Sequence, residues 1–254
     1  FTHRFVVGHY RKDKQTHVSR PWAIGRAGNG VGGVVSTVKD LLKYARFHMG
    51  DGKSPSGNKI IKRKSLQAMR VKQVSAGGRG DMGITWFIRY ADNLTAYAHG
   101  GATNGQQAYF FYIPEKDFAL AILTNSDEGG VITAQTFGWA HDLYFGIKLK
   151  SPKPMKNPQD GKEFIGRYKI GTECFDIKTK GKYLVFHHIP LGGFPTPDEP
   201  PGPALPPMRF AFYEKDNLIG LDEPYNGALA DIIRDEKGRV KYFRVGGRAH
   251  LKIK

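Results

Sequence analysis

The residues best suited to chemistry lie in one run, Ala98-His99-Gly100-Gly101-Ala102-Thr103-Asn104-Gly105. It reads as a polar side chain at the end of a strand, followed by two glycines. Glycines in such a place let a ligand or another backbone approach closely. The amides just after them are free to point at a substrate oxygen, which is what an oxyanion hole needs. Other chemistries find less support. His3, His9 and His17 are dispersed, and His187-His188 has no acidic or cysteine partner at ligand spacing, so no metal and no other cofactor is expected. No Gly-x-Ser-x-Gly elbow is present, which removes a lipase-like triad.

Elements must position that run. Thr37 reads as a helix N-cap with Asp40 three residues on, and Leu41, Leu42, Tyr44, Ala45 and Met49 recur at helical spacing before Gly50. A second helix is expected over about Arg63 to Arg70. Strands are expected from Gly83 to Tyr90, with Ile84, Trp86 and Ile88 alternating, and from Leu94 to Gly101. A hairpin follows, with strands Gln106 to Ile113 and Phe118 to Thr124 around Pro114-Glu115-Lys116-Asp117. Phe118-Ala-Leu-Ala-Ile-Leu123 is apolar on both faces, which predicts a central, covered strand. A helix over Val131 to Phe145 completes an α+β arrangement, an antiparallel sheet flanked by helices, in residues 1–147. Residues 148–160, rich in Lys and Pro, read as a linker. Residues 161–254 carry many short strands between turn residues and predict a small, lipocalin-like β-barrel domain. A proline-rich loop is expected between Pro190 and Pro207.

Composition narrows the classes. Of 254 residues, 40% are hydrophobic and 24% charged, the balance of a globular chain with a sizeable core. The formal charge of +16 permits contact with nucleic acid or anionic membranes, but the basic residues run all along the chain without a nucleic-acid-binding motif. A solvated basic surface is the expectation, and nucleic acid is not an expected partner. The one cysteine, Cys174, excludes an internal disulfide and leaves the compartment open. No apolar run is long enough to span a bilayer. Phe1 opens the chain, which is expected of a processed end or of a start inside a longer protein.

The run from Gly83 to Asn125 resembles the third active-site motif of class C β-lactamases and penicillin-binding-protein-like esterases, where Lys-Thr-Gly or His-Gly-Gly lies on the sheet edge facing the serine. Upstream, Gly32-Gly33-Val34-Val35-Ser36-Thr37-Val38-Lys39-Asp40-Leu41 is similar to the Gly-Gly-Leu-x-Ser-Thr-x-x-Asp-Leu segment of that family. The resemblance covers about residues 5–147 and implies a partial β-lactamase/transpeptidase-like domain. It implies that His99 positions an anionic group and that the Ala102 amide is one oxyanion donor. Gly100, Gly101, Thr103 and Asn104 would line the substrate side.

The same resemblance calls for a Ser-x-x-Lys nucleophile and a Tyr-x-Asn. Ser36-Thr-Val-Lys39, Ser56-Gly-Asn-Lys59 and Tyr90-Ala-Asp92 are read as chance matches, so no nucleophile is expected in this chain. The implied protein is a serine hydrolase acting on β-lactams, D-Ala peptides or small esters through an acyl-enzyme. This chain would supply its C-terminal portion and would be inactive alone. The expected partners are a missing N-terminal segment or separate chain, a small-molecule substrate and a second copy. The competing reading is a non-catalytic module binding cell-wall or anionic polymers.

Overall fold

The computed structural model describes residues 5–20, 28–193, 198 and 200–254, so His3 and part of the proline-rich loop lie outside the described residues. The chain divides into two compact units, residues 1–75 with 80–149, and residues 76–79 with 150–254.

The first unit opens with a hairpin of β1 (His9–Lys12) and β2 (Gln15–Val18). Its two turn residues, Asp13 and Lys14, both take positive φ, as a two-residue hairpin turn demands. One helical turn, α1 (Asn29–Gly32), falls within the glycine cluster. α2 (Val38–Met49) starts at Thr37, whose hydroxyl accepts the Asp40 amide at 3.2 Å, and ends where the Gly50 amide reaches the Arg46 carbonyl. α3 (Arg63–Met69) buries Leu66.

An antiparallel sheet follows in chain order: β3 (Val74–Ser75), β4 (Asp81–Met82), β5 (Phe87–Ala91), β6 (Leu94–Thr103), β7 (Gln106–Ile113) and β8 (Phe118–Thr124). The last helix of this unit is α4 (Gly129–Phe145). Alternation along β7 builds two cores. Phe110 and Tyr112 join Trp86 and the α2 residues Ala45, Leu41 and Met49. Phe111 and Ile113 join Leu94, Ala96, Ala98 and the α4 residue Ala140.

Two strand expectations need correction. The strand expected from Gly83 begins only at Phe87, because Thr85 sits at φ 69, outside any strand conformation. Trp86 is nevertheless buried, as a loop residue. The run Phe118–Thr124 is covered on both faces, Ala119 and Ala121 by the α2 core and Phe118 and Leu120 by the α4 core. It is not central: β8 is the outer strand of the sheet among the described residues. Apolarity on both faces reported the two helices and not the number of strand neighbours.

The second unit is a closed antiparallel barrel of eight strands. They are β9 (Gly166–Ile170), β10 (Glu173–Lys180), β11 (Tyr183–Pro190), β12 (Met208–Glu214), β13 (Asn217–Gly220), β14 (Leu229–Arg234), β15 (Val240–Val245) and β16 (Arg248–Lys252). Inward-facing Tyr168, Phe175, Phe186, Phe210, Phe212 and Phe243 fill the interior. Arg234 ties the wall together, bonding Glu163 at 2.7 Å and Asp216 at 2.8 Å. The molecule thus combines helices and sheets in one unit with a barrel in the other.

Candidate active site

β6 carries the run singled out from the sequence. The strand expected to end at Gly101 continues to Thr103. β5 pairs with it only as far as Ala98, opposite Phe87, whereas β7 pairs with it through Thr103. Residues 99–103 therefore run past β5 with one edge that no described strand covers. Amides alternate in direction along an extended strand, so some in this stretch face that open edge. His99, Gly100, Gly101 and Ala102 are all exposed there.

His99 stands beside Phe87, ring centroids 5.7 Å apart. Its Nδ1 lies 2.7 Å from the Gly100 carbonyl. A carbonyl oxygen only accepts, so Nδ1 donates in this contact. The two glycines differ. A Cβ at Gly100 would lie 3.2 Å from the Ala108 carbonyl oxygen, whereas one at Gly101 would meet open space. Gly101 therefore leaves the surface above β6 clear for a ligand.

Beyond Thr103 the strand turns through Asn104 and Gly105. A hollow of about 360 Å³ opens here, lined by Thr103, Asn104 and Gly105 together with Tyr10, Ser19, Arg20 and Asp127. The hairpin is docked onto this turn by the His9 amide, 3.1 Å from the Gly105 carbonyl and 3.0 Å from that of Asn125. Sequence reasoning missed Ser19, Arg20 and Asp127. They reach the hollow by tertiary docking across the length of the unit, and no local spacing signals it.

The alternative nucleophile motifs are not assembled. Ser36 Oγ donates to the Thr37 carbonyl at 3.4 Å, and no hydrogen bond joins it to Lys39 among the described residues. Ser56 Oγ shares a loop hydrogen bond of 2.7 Å with Ser54. The Tyr90 hydroxyl donates to Asp81 at 2.9 Å, and Asp81 is also paired with Lys72 at 2.9 Å. The bond to Asp81 raises the Tyr90 pKa, the wrong direction for a proton shuttle. Among the described residues no cluster of three His, Cys, Asp or Glu could hold a metal ion.

The sheet carries its His-Gly-Gly strand past a neighbour, with α2 on one face and α4 on the other. The sequence profile of the family described as Beta-lactamase matches residues 2–142, more than half of the 254 residues. The chain belongs to the β-lactamase family. Penicillin-binding protein 4 of Amycolatopsis lactamdurans is 30% identical over 114 residues, 43% of this chain and 29% of that protein. Among solved structures, SurE aligns with a TM-score of 0.73 at 18% identity, over 97% of this chain and 55% of that one. SurE with D-Leu aligns at 0.64 and 19%, over 86% and 50%. The chain thus spans under a third of the curated relative and about half of each of these solved structures.

Proposed function

We propose that this chain is the C-terminal portion of a serine hydrolase that acts on β-lactams, D-Ala peptides or small esters through an acyl-enzyme. The observation that carries the reading is the open edge of β6 at residues 99–103, within a chain of the β-lactamase family. In this scheme His99 positions an anionic group of the substrate. The Ala102 amide is one oxyanion donor, and Gly100, Gly101, Thr103 and Asn104 form the wall along which substrate lies. The serine and its lysine come from polypeptide outside these residues. Residues 148–160 serve as a linker to a separate, lipocalin-like barrel domain over 161–254.

Surface chemistry supports an incomplete domain. The outer edge of β8 is unpaired among the described residues, and α4 exposes Val131, Ile132, Trp139 and Leu143. Apolar surface of this kind is normally covered, here by the segment bearing the nucleophile. Left bare, it favours association with a second copy.

The test is intact-mass analysis after incubation with a fluorophosphonate and, separately, a fluorescent penicillin. The chain alone gains no adduct. With a Ser-x-x-Lys-bearing polypeptide that binds it, the adduct sits on that polypeptide's serine and is lost in the His99→Ala complex. A stoichiometric adduct on this chain alone would refute the scheme and point to Ser36.

A second reading, a module that binds anionic polymers, draws on the barrel. There a depression of about 840 Å³ is lined by Arg239, Lys241, Lys252 and Lys254 with Glu163 and Asp235. Salt-sensitive polymer binding without covalent labelling favours it.

A further inference from the structure

The positive charge is less evenly spread than the whole-chain total implies. From Tyr90 to Ile147 the chain has one basic residue, Lys116, against six acidic ones. From Gly52 to Gly80 it has eight basic residues and no acidic one. The densest part is Lys59-Ile60-Ile61-Lys62-Arg63-Lys64, which leads into α3. Lys59, Lys62, Arg63 and Lys64 are all exposed, and none has an ion-pair partner among the described residues. The acidic residues nearest to it in the sequence are already engaged: Asp40 with Lys43, Asp51 with Lys53, Asp81 with Lys72.

Folding does not call for this arrangement. α3 has no acidic residue in its first turn and no side-chain cap, and its cations stand at the end where the helix dipole is positive. That sign is unfavourable for helix stability. The segment also exposes apolar side chains between its charges: Ile60 is 67% exposed, Val71 58% and Val74 57%. A soluble polyanion offers nothing to those side chains. A bilayer offers both phosphate headgroups for the cations and an acyl boundary for the isoleucine.

We propose that the segment from Lys59 to Lys64 is a docking surface for anionic lipid bilayers, with Lys59, Lys62, Arg63 and Lys64 on the headgroups and Ile60 inserted between them. The proposal goes beyond the hydrolase reading and is independent of it. Covalent labelling can fail while binding succeeds, and the reverse.

Co-sedimentation of the full chain with sucrose-loaded vesicles tests it. The vesicles are phosphatidylcholine alone, or phosphatidylcholine with about 30 mol% phosphatidylglycerol. The chain pellets with the anionic vesicles only, and about 1 M salt releases it. At roughly fivefold per cation, Lys62→Gln/Arg63→Gln/Lys64→Gln weakens partitioning about a hundredfold. Ile60→Ser weakens it about tenfold without changing the salt dependence. Circular dichroism confirms that these surface variants stay folded. Unaltered partitioning of the triple variant overturns the proposal. So does binding that is indifferent to Ile60→Ser and equally strong to soluble polyphosphate, which would assign the surface to a polyanion instead.

Discussion

His48 offers the sharpest test of the packing in the first unit. It is 3% exposed on the inner side of α2, with ring centroids 4.3 Å from Tyr44, 5.0 Å from Trp86 and 6.0 Å from Tyr112. Its Nδ1 has no hydrogen-bond partner among the described residues. Burial, helped by the nearby Arg70 charge, pushes its pKa from 6.5 down to about 4. The folded state therefore holds His48 neutral at pH values where the unfolded chain binds a proton. Stability from this residue is complete above about pH 7 and is lost as pH falls from 6.5 towards 4. Below that the loss levels off at about 3 kcal/mol, at about 1.4 kcal/mol per pKa unit. Between pH 7.5 and 5 the expected loss is about 2 kcal/mol.

The assay is urea unfolding followed by tryptophan fluorescence. All three tryptophans lie in residues 1–149, so the signal reports this unit and not the barrel. His48→Phe keeps the aromatic packing and removes the titration. The wild-type chain should lose about 2 kcal/mol more than the variant on going from pH 7.5 to 5, all other titrating groups cancelling in the difference. Equal pH dependence in the two proteins would refute the reasoning, because the imidazole would then be hydrated or partnered in the fold.

Three other outcomes are expected. Gly105→Ala destabilises the first unit by about 1–3 kcal/mol in the same urea assay, since Gly105 sits at φ 68 and a Cβ there would lie 2.3 Å from the His9 amide nitrogen. Arg234→Met lowers barrel stability by about 1–2 kcal/mol, read by near-UV circular dichroism, because it leaves the part-exposed Glu163 and Asp216 without their cation. Arg234 holds the Asp216 pKa below the usual carboxylate value, so the pair's contribution is present above about pH 4 and fades on further acidification, a fade the variant should lack. Phe186→Ala, at a fully buried position, costs the barrel about 3–5 kcal/mol in thermal melts and leaves the fluorescence-detected unfolding of the first unit unchanged.

Much of this fold was legible wherever local chemistry decides. Thr37 and Gly50 bracket α2 because a hydroxyl cap and a glycine stop act within a few residues. The hairpin of β7 and β8 was legible because Pro114 and Asp117 set its turn and apolar residues fill both strands. What stayed hidden depends on distant partners. That β8 is an outer strand is a property of its neighbours. Thr85 at positive φ is held by its surroundings, and nothing in Gly-Ile-Thr-Trp signals it. At the site, His99-Gly100-Gly101 could be found from residue types. That β5 pairs with β6 only as far as Ala98 and leaves the next five residues of β6 open could not, because it depends on how far a neighbouring strand reaches.

The barrel's connectivity bears on how it forms and how it fails. Each of its strands pairs with the next in the chain, save for the seam where β16 meets β9. That seam has only two registered residue pairs, Leu251 with Lys169 and Lys252 with Tyr168, extended by backbone bonds between Arg167 and both Ile253 and Lys254. Most pairings between successive strands close short loops and can form early, β11 with β12 across residues 191–207 being the exception, whereas the seam must wait until both ends of the meander are ordered. Zipping of that short closure is thus the last step of folding, and the seam amides should be the first in the wall to exchange with solvent deuterium.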